Sequence, residues 1–140
     1  MIDFTTELGR KAQKHLADEY FVWLTSLDSH LTPQPRPVWF IWQDGAFIIF
    51  SQAKAHKLKH IAAHPQVSLH FNTPDAKGEE DVIVFSGKAE VVNDIPSAHV
   101  LKAYIEKYGE GISGLGSTAE QFGGEYSVAI RITPTSLRGW

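Results

Sequence analysis

The sequence predicts a mainly β fold with peripheral helices, a small barrel of six to seven antiparallel strands carrying three helices. Short runs rich in β-branched and aromatic residues recur between turn signals, as strands do. Most of these runs are joined by hairpin-length connections, which disfavours a doubly wound parallel sheet with its crossover helices. The length of 140 residues suits one domain spanning residues 1–140 around one core.

The elements follow in order. Thr5 or Thr6 can cap a first helix, with Phe4, Leu8, Ala12 and Leu16 recurring on one face. Tyr20 to Leu27 reads as a strand, and Asp28-Ser29-His30 as a turn. Pro33, Pro35 and Pro37 cannot donate ladder hydrogen bonds, so Thr32 to Arg36 is expected at an edge or as an extended entry. Val38 to Trp42 is the next strand. Gln43-Asp44-Gly45 makes a tight hairpin, and Ala46 to Ser51 returns. A helix is expected from about Ala55 to His64, then a strand from Val67 to Asn72 and a polar loop from Thr73 to Glu80.

Asp81 to Asn93 is long enough for one bent strand or two, with a bulge at Gly87. Asp94 can cap a helix carrying Ala98, Leu101, Ile105 and Tyr108, closed by Gly109. Gly109 to Gly124 holds six glycines and reads as a mobile loop with room for one helical turn. Tyr126 to Thr133 is the last strand and Thr135 to Trp140 an extended tail.

Composition narrows the function. The net charge of −3 leaves no basic excess for a phosphate backbone, so a nucleic-acid role is disfavoured. The absence of cysteine excludes disulfides, thiolate chemistry and cysteine-rich zinc sites. Met1 to Arg10 does not read as a signal peptide, and no apolar run approaches the roughly 18 residues of a membrane span. The expectation is a soluble, cytoplasmic protein with no membrane partner.

Several residues could carry chemistry. Ser51 ends an apolar strand just before a helix, and Lys54 and Lys57 lie three apart on it. Together with free helix N–H groups they could hold a phosphate, or the lysines could be an ordinary solvated face. His56, His60 and His64 fall within roughly 80° on a helix but span too far along its axis to converge on a metal, so they read as surface histidines. Ser51, Ser68 and Ser86 lack a nucleophile-elbow context. On Val38 to Trp42, either Trp39 and Ile41 or Phe40 and Trp42 must point outward and need a cover, from a second subunit or a flat ring. The terminal Leu137-Arg138-Gly139-Trp140 reads as tied down, against a partner or ligand or on its own barrel.

Pro37-Val38-Trp39-Phe40, Ser51-Gln52, Lys57-Leu58-Lys59-His60-Ile61, Pro65-Gln66-Val67-Ser68-Leu69, Arg131-Ile132-Thr133-Pro134 and Arg138-Gly139-Trp140 occur in that order. In this the chain resembles the pyridoxamine 5'-phosphate oxidase-like family of FMN-binding split barrels, from about Leu24 to Trp140. It is most similar to the branch of small deazaflavin (coenzyme F-420)-dependent reductases. The resemblance implies a split barrel and a homodimer, with FMN or deazaflavin in a cleft between subunits. It implies that the strand matching Val38, Trp39 and Phe40 runs beside the ring, that Ser51, Gln52, Lys54, Lys57 and Lys59 seat the phosphate, and that Arg138 and Trp140 close the site.

The implied activity is an oxidoreductase that passes hydride between this cofactor and a small-molecule substrate. A histidine such as His30 or His70, or solvent, would supply the proton. A non-catalytic flavin, deazaflavin or haem carrier is the alternative. Relatives carry Arg-Asn where this chain has Lys59-His60, and lysine lacks arginine's bidentate fork. The C-terminal substrate motif of true pyridoxamine phosphate oxidases does not occur before Trp140, so vitamin B6 oxidation is not expected.

Overall fold

The structure is a computed structural model that describes residues 2–71, 73–74, 77–79 and 81–140. Helix α1 (Glu7–Asp18) starts at Thr6, whose hydroxyl accepts from the Gly9 N–H at 2.9 Å. Its Ala12 and Leu16 are buried, and Phe4 and Leu8 pack on the same core. Strand β1 (Phe21–Leu27) leads into a turn organised by Asp28, whose Oδ1 accepts from the N–H groups of His30 and Thr32.

Strand β2 (Pro33–Trp39) pairs along its full length with β1. Its prolines alternate with Gln34, Arg36 and Val38, so the residues lacking an N–H all face the open edge. This is the edge strand that the prolines led us to expect, and it is poor in donors for adding another strand.

The expected strand Val38 to Trp42 is broken at Phe40, and β3 (Ile41–Gln43) begins after it. The break has a physical cause. The Phe40 backbone bonds to side chains of a helix instead of a neighbouring strand: its N–H donates to Tyr108 Oη at 2.8 Å, and Lys107 Nζ donates to its carbonyl at 2.9 Å. Asp44 and Gly45 both have positive φ (53° and 75°), the two-residue hairpin geometry that returns the chain in β4 (Ala46–Ser51).

Helix α2 (His56–Ala63) and strand β5 (Gln66–Phe71) follow. Asn72, the expected end of β5, lies outside the described residues, as do Asp75, Ala76 and Glu80 of the expected polar loop. Asp81 to Asn93 contains one continuous strand, β6 (Ile83–Val92). The register shifts between Ser86 and Gly87, where expected, and the extra residue belongs to the facing strand, between Pro134 and Ser136.

The segment after β6 departs most from the sequence reading. Asp94 caps no helix; its carboxylate instead accepts from Arg131 Nη2 at 3.1 and 3.2 Å. Helix α3 (Lys102–Gly114) starts later than expected and runs through Gly109, burying Tyr104, Tyr108 and Ile112. In place of the expected loop there is a fourth helix, α4 (Ala119–Glu125), closed by a capping box between Thr118 and Gln121. Strand β7 (Val128–Gly139) is likewise one element through Pro134, not a strand and a tail.

The seven strands form one antiparallel sheet in the order β2-β1-β5-β6-β7-β4-β3. Its two edge strands, β2 and β3, are separated in sequence by Phe40 alone, so the sheet must curl until its edges meet. The result is a split barrel, α+β in class. Its interior holds Leu24, Phe40, Phe47, Leu69, Phe85 and Ile130. A second core lies outside, where Ile48, Phe50 and Ala129 meet Tyr104, Tyr108, Ile112 and Phe122 of α3 and α4. Strand β4 is therefore buried on both faces.

Candidate functional site

Along Val38 to Trp42 the outward pair is Trp39 and Ile41, and Phe40 and Trp42 point into the barrel. The cover is supplied largely by this chain itself. The Trp39 ring stacks on Tyr108 (4.6 Å between centroids, 7° between planes) and on Phe122 (5.6 Å, 24°). Between this wall and the α3–α4 layer a cleft of about 210 Å³ opens along the β2 edge. Pro37, Val38, Trp39, Phe50, Lys57, Tyr104, Leu115, Phe122 and Tyr126 line it.

Lys57 is the one cation in this lining, and its setting is unusual. It is half-buried on the first turn of α2; burial, and then Arg36 on β2, push its pKa down. Among the described residues, no ion pair involves Lys57, Arg36, Lys54 or Lys59. Two cations held together without a carboxylate raise each other's cost, and an anion between them would relieve it. Helix α2 adds to this, because Ala55 at its N-cap offers no side-chain acceptor to the first N–H groups.

The other expected site residues divide into three groups. Val38 is 8% exposed and Phe40 is fully buried, its ring between Phe47 and Phe71. Ser51 is fully buried, and its hydroxyl donates to the Gln52 carbonyl at 3.1 Å. Gln52, Lys54 and Lys59 are exposed, the first two on the β4–α2 connection and Lys59 on α2.

Arg138 and Trp140 are elsewhere. Strand β7 meets Ser51 at Val128, and Arg138 lies ten residues further on, about 30 Å along a strand rising ~3.3 Å per residue. There Trp140 exchanges backbone hydrogen bonds with Val82 (3.0 and 3.1 Å) while the residue is 75% exposed. The ring does not pack on its own barrel. One chain does not bring these two residues to Lys57.

His30 is exposed on the β1–β2 turn, and His70 stacks on Trp23 on the outer sheet face; neither lines the cleft. Among the described residues, no group of three or more histidine, cysteine or acidic side chains could hold a metal.

Sequence reasoning missed Arg36, Phe50, Tyr104, Leu115, Phe122 and Tyr126. Arg36 was findable, because period-two alternation puts it on the same side of β2 as Val38. The α3 and α4 aromatics were hidden in a segment read as loop.

No curated protein matches the chain at a significant level. Solved structures do match its fold. They include an FAD-binding protein from Mesorhizobium loti (17% identity, TM-score 0.69, covering 93% of this chain and 90% of that one). A haem storage protein from Vibrio cholerae shows 16% identity and a TM-score of 0.69, covering 95% and 94%. An F-420 reductase shows 18% identity and a TM-score of 0.67, covering 90% and 94%. Among the described residues, no helix is long and apolar enough to cross a membrane. The profile of the pyridoxamine 5'-phosphate oxidase family matches residues 8–140, nearly the whole chain, and the chain belongs to that family.

Proposed function

We propose that this protein is a flavin- or deazaflavin-dependent oxidoreductase that exchanges hydride with a small-molecule substrate. The observation that carries the reading is the half-buried Lys57 beside Arg36, without a carboxylate, at one end of an aromatic cleft. A phosphate-bearing planar ring answers both features. Trp39, Phe122 and Tyr126 give the cleft an aromatic lining, and Lys57, Arg36 and the uncapped start of α2 offer an anion seat. In this reading Ser51, Gln52, Lys54 and Lys59, on β4, the β4–α2 connection and α2, are the further candidates to contact the anion, and Val38 and Phe40 belong to the ring wall. FMN and coenzyme F-420 both fit this donor set; the membership of the family and the named F-420 reductase and FAD-binding neighbours support the class.

When bound, the cofactor ring supplies the hydride chemistry; the residues of this chain orient it, hold its anionic end and keep water from one face. The working unit in this reading is a homodimer of one-domain subunits spanning residues 1–140. Arg138 and Trp140, too distant within one chain, would reach the cleft of a second one. Phe21, 45% exposed, and the stacked Trp23 and His70 on the outer face of β1 and β5 offer an apolar surface for that association.

A haem or flavin carrier without turnover is the second reading, supported by the haem storage neighbour. No histidine lines the cleft, which weighs against haem ligation there. Absorption spectra during titration with FMN, with oxidised and reduced deazaflavin, and with haem separate the readings. A flavin-type ligand should bind stoichiometrically and haem should not. Binding of haem alone would overturn the proposal, and flavin binding without any reductase activity would favour the carrier.

A further inference from the structure

The ring wall ends in a hydrogen-bond node that needs one more proton than its tyrosine can give. Tyr108 Oη accepts from the Phe40 N–H at 2.8 Å and lies 2.6 Å from two carbonyl oxygens, those of Tyr20 and Phe40. A phenol has a single proton, so it can bond only one of these carbonyls at a time. Burial pushes the Tyr108 pKa up, so the phenol keeps that proton. Lys107, its neighbour on α3, completes the count. Its Nζ donates to the Phe40 carbonyl at 2.9 Å and sits 3.7 Å above the centre of the Phe40 ring. Tyr108 is then free to donate to Tyr20.

Nothing else explains this lysine. Among the described residues no ion pair involves it, and burial lowers its pKa from 10.5 to about 8, with Glu19 acting weakly the other way. The groups that share its second cavity, including Leu16, Ala17, Ile41, Trp42 and Ala103, are uncharged. The node also reaches the cleft directly, because the Tyr108 ring that makes these bonds is the one stacked on Trp39. The node ties together Tyr20, Phe40 and Trp39.

We propose that Lys107 is a positioning residue for the ring wall. By holding the Phe40 carbonyl it lets Tyr108 clamp Tyr20, Phe40 and Trp39 together and set Trp39 against the cleft. The proposal rests on reading the cleft as the ring site.

The test compares Lys107→Met and Lys107→Arg with wild type, using FMN and riboflavin, which differ by the phosphate alone. Lys107→Met should weaken both ligands by the same factor, about tenfold, because the lost bond acts on the ring end. It should also speed hydrogen exchange at the Phe40 amide about tenfold, and Lys107→Arg should restore both. Lys57→Met serves as the contrast, weakening FMN while leaving riboflavin unchanged. Lys107→Leu, which also lacks a donor, gives the same comparison if the methionine variant folds poorly. Unchanged ligand binding and unchanged Phe40 exchange would overturn the proposal. So would weakening of FMN alone, which would mark Lys107 as a phosphate charge. If wild type binds neither flavin, the FMN form of the cofactor reading fails, and Phe40 exchange by itself decides the positioning claim.

Discussion

Replacing Lys57 by methionine keeps an apolar stem in the cleft lining and removes the charge that burial and Arg36 both oppose. Two opposite effects should follow from this one change. A charge-assisted hydrogen bond to a phosphate contributes about 1.5–3 kcal/mol, so FMN affinity should fall roughly tenfold to 150-fold. The ligand-free protein should gain stability, by roughly 0.5–1 kcal/mol, as half-buried charges lacking a partner do when removed. With a urea slope of about 2 kcal/mol/M, that gain moves the unfolding midpoint up by ~0.3–0.5 M. Fluorescence titration with FMN and urea unfolding without it give the two numbers on one preparation. A variant that binds FMN as wild type does, or that loses stability like a core deletion, would show that Lys57 packs and seats nothing.

Between about pH 8 and 10 the ligand-free protein should become more stable as pH rises. The folded-state pKa of Lys107 is lowered to about 8, so there the unfolded chain binds the extra proton; urea midpoints should rise for wild type and rise less in Lys107→Met, where the lowered pKa of Lys57 still contributes. Above pH 10 the buried phenols of Tyr104 and Tyr108, whose pKa values are raised, oppose the trend. Tyr108→Phe strands the Phe40 N–H and the Tyr20 carbonyl and should cost about 2 kcal/mol or more, measured by the same unfolding. Thr118→Ala breaks the capping box of α4 and should cost about 1 kcal/mol, seen as faster hydrogen exchange over residues 119–125 with the barrel unaffected.

The barrel itself was legible because its signals are local. Alternation in β1, the Asp44-Gly45 turn and the edge prolines of β2 each act over a few residues, and the structure keeps all three. The break at Phe40 was not legible, since the partner that makes it, Tyr108, lies 68 residues away. Helix α3 passes Gly109 because burial of Tyr104, Tyr108 and Ile112 outweighs the ~1 kcal/mol glycine cost, a tertiary term that no local window contains. Gly111 has a reason as well: a Cβ there would strike the Tyr20 hydroxyl.

Helix α4 is different. Its Thr118 and Gln121 stand three apart in plain view, and the density of glycines concealed a real capping signal. Asp94 looked like a cap because nothing in its neighbourhood shows Arg131, which reaches it from β7. For the site, spacing alone left Lys57 between a phosphate seat and a solvated face. What tipped the balance was resemblance, and what gives it physical content is Arg36, a residue the sequence reading passed over.

The central claim is that the cleft at the β2 edge holds a phosphate-bearing ring. A crystal structure of the protein grown with FMN or coenzyme F-420 tests it most directly. The account predicts the phosphate within hydrogen-bond reach of Lys57 and Arg36, the ring along Val38 to Phe40, and Trp140 of a second subunit at the same cleft. A ligand bound elsewhere on the barrel, with Lys57 and Arg36 left facing solvent, would contradict it.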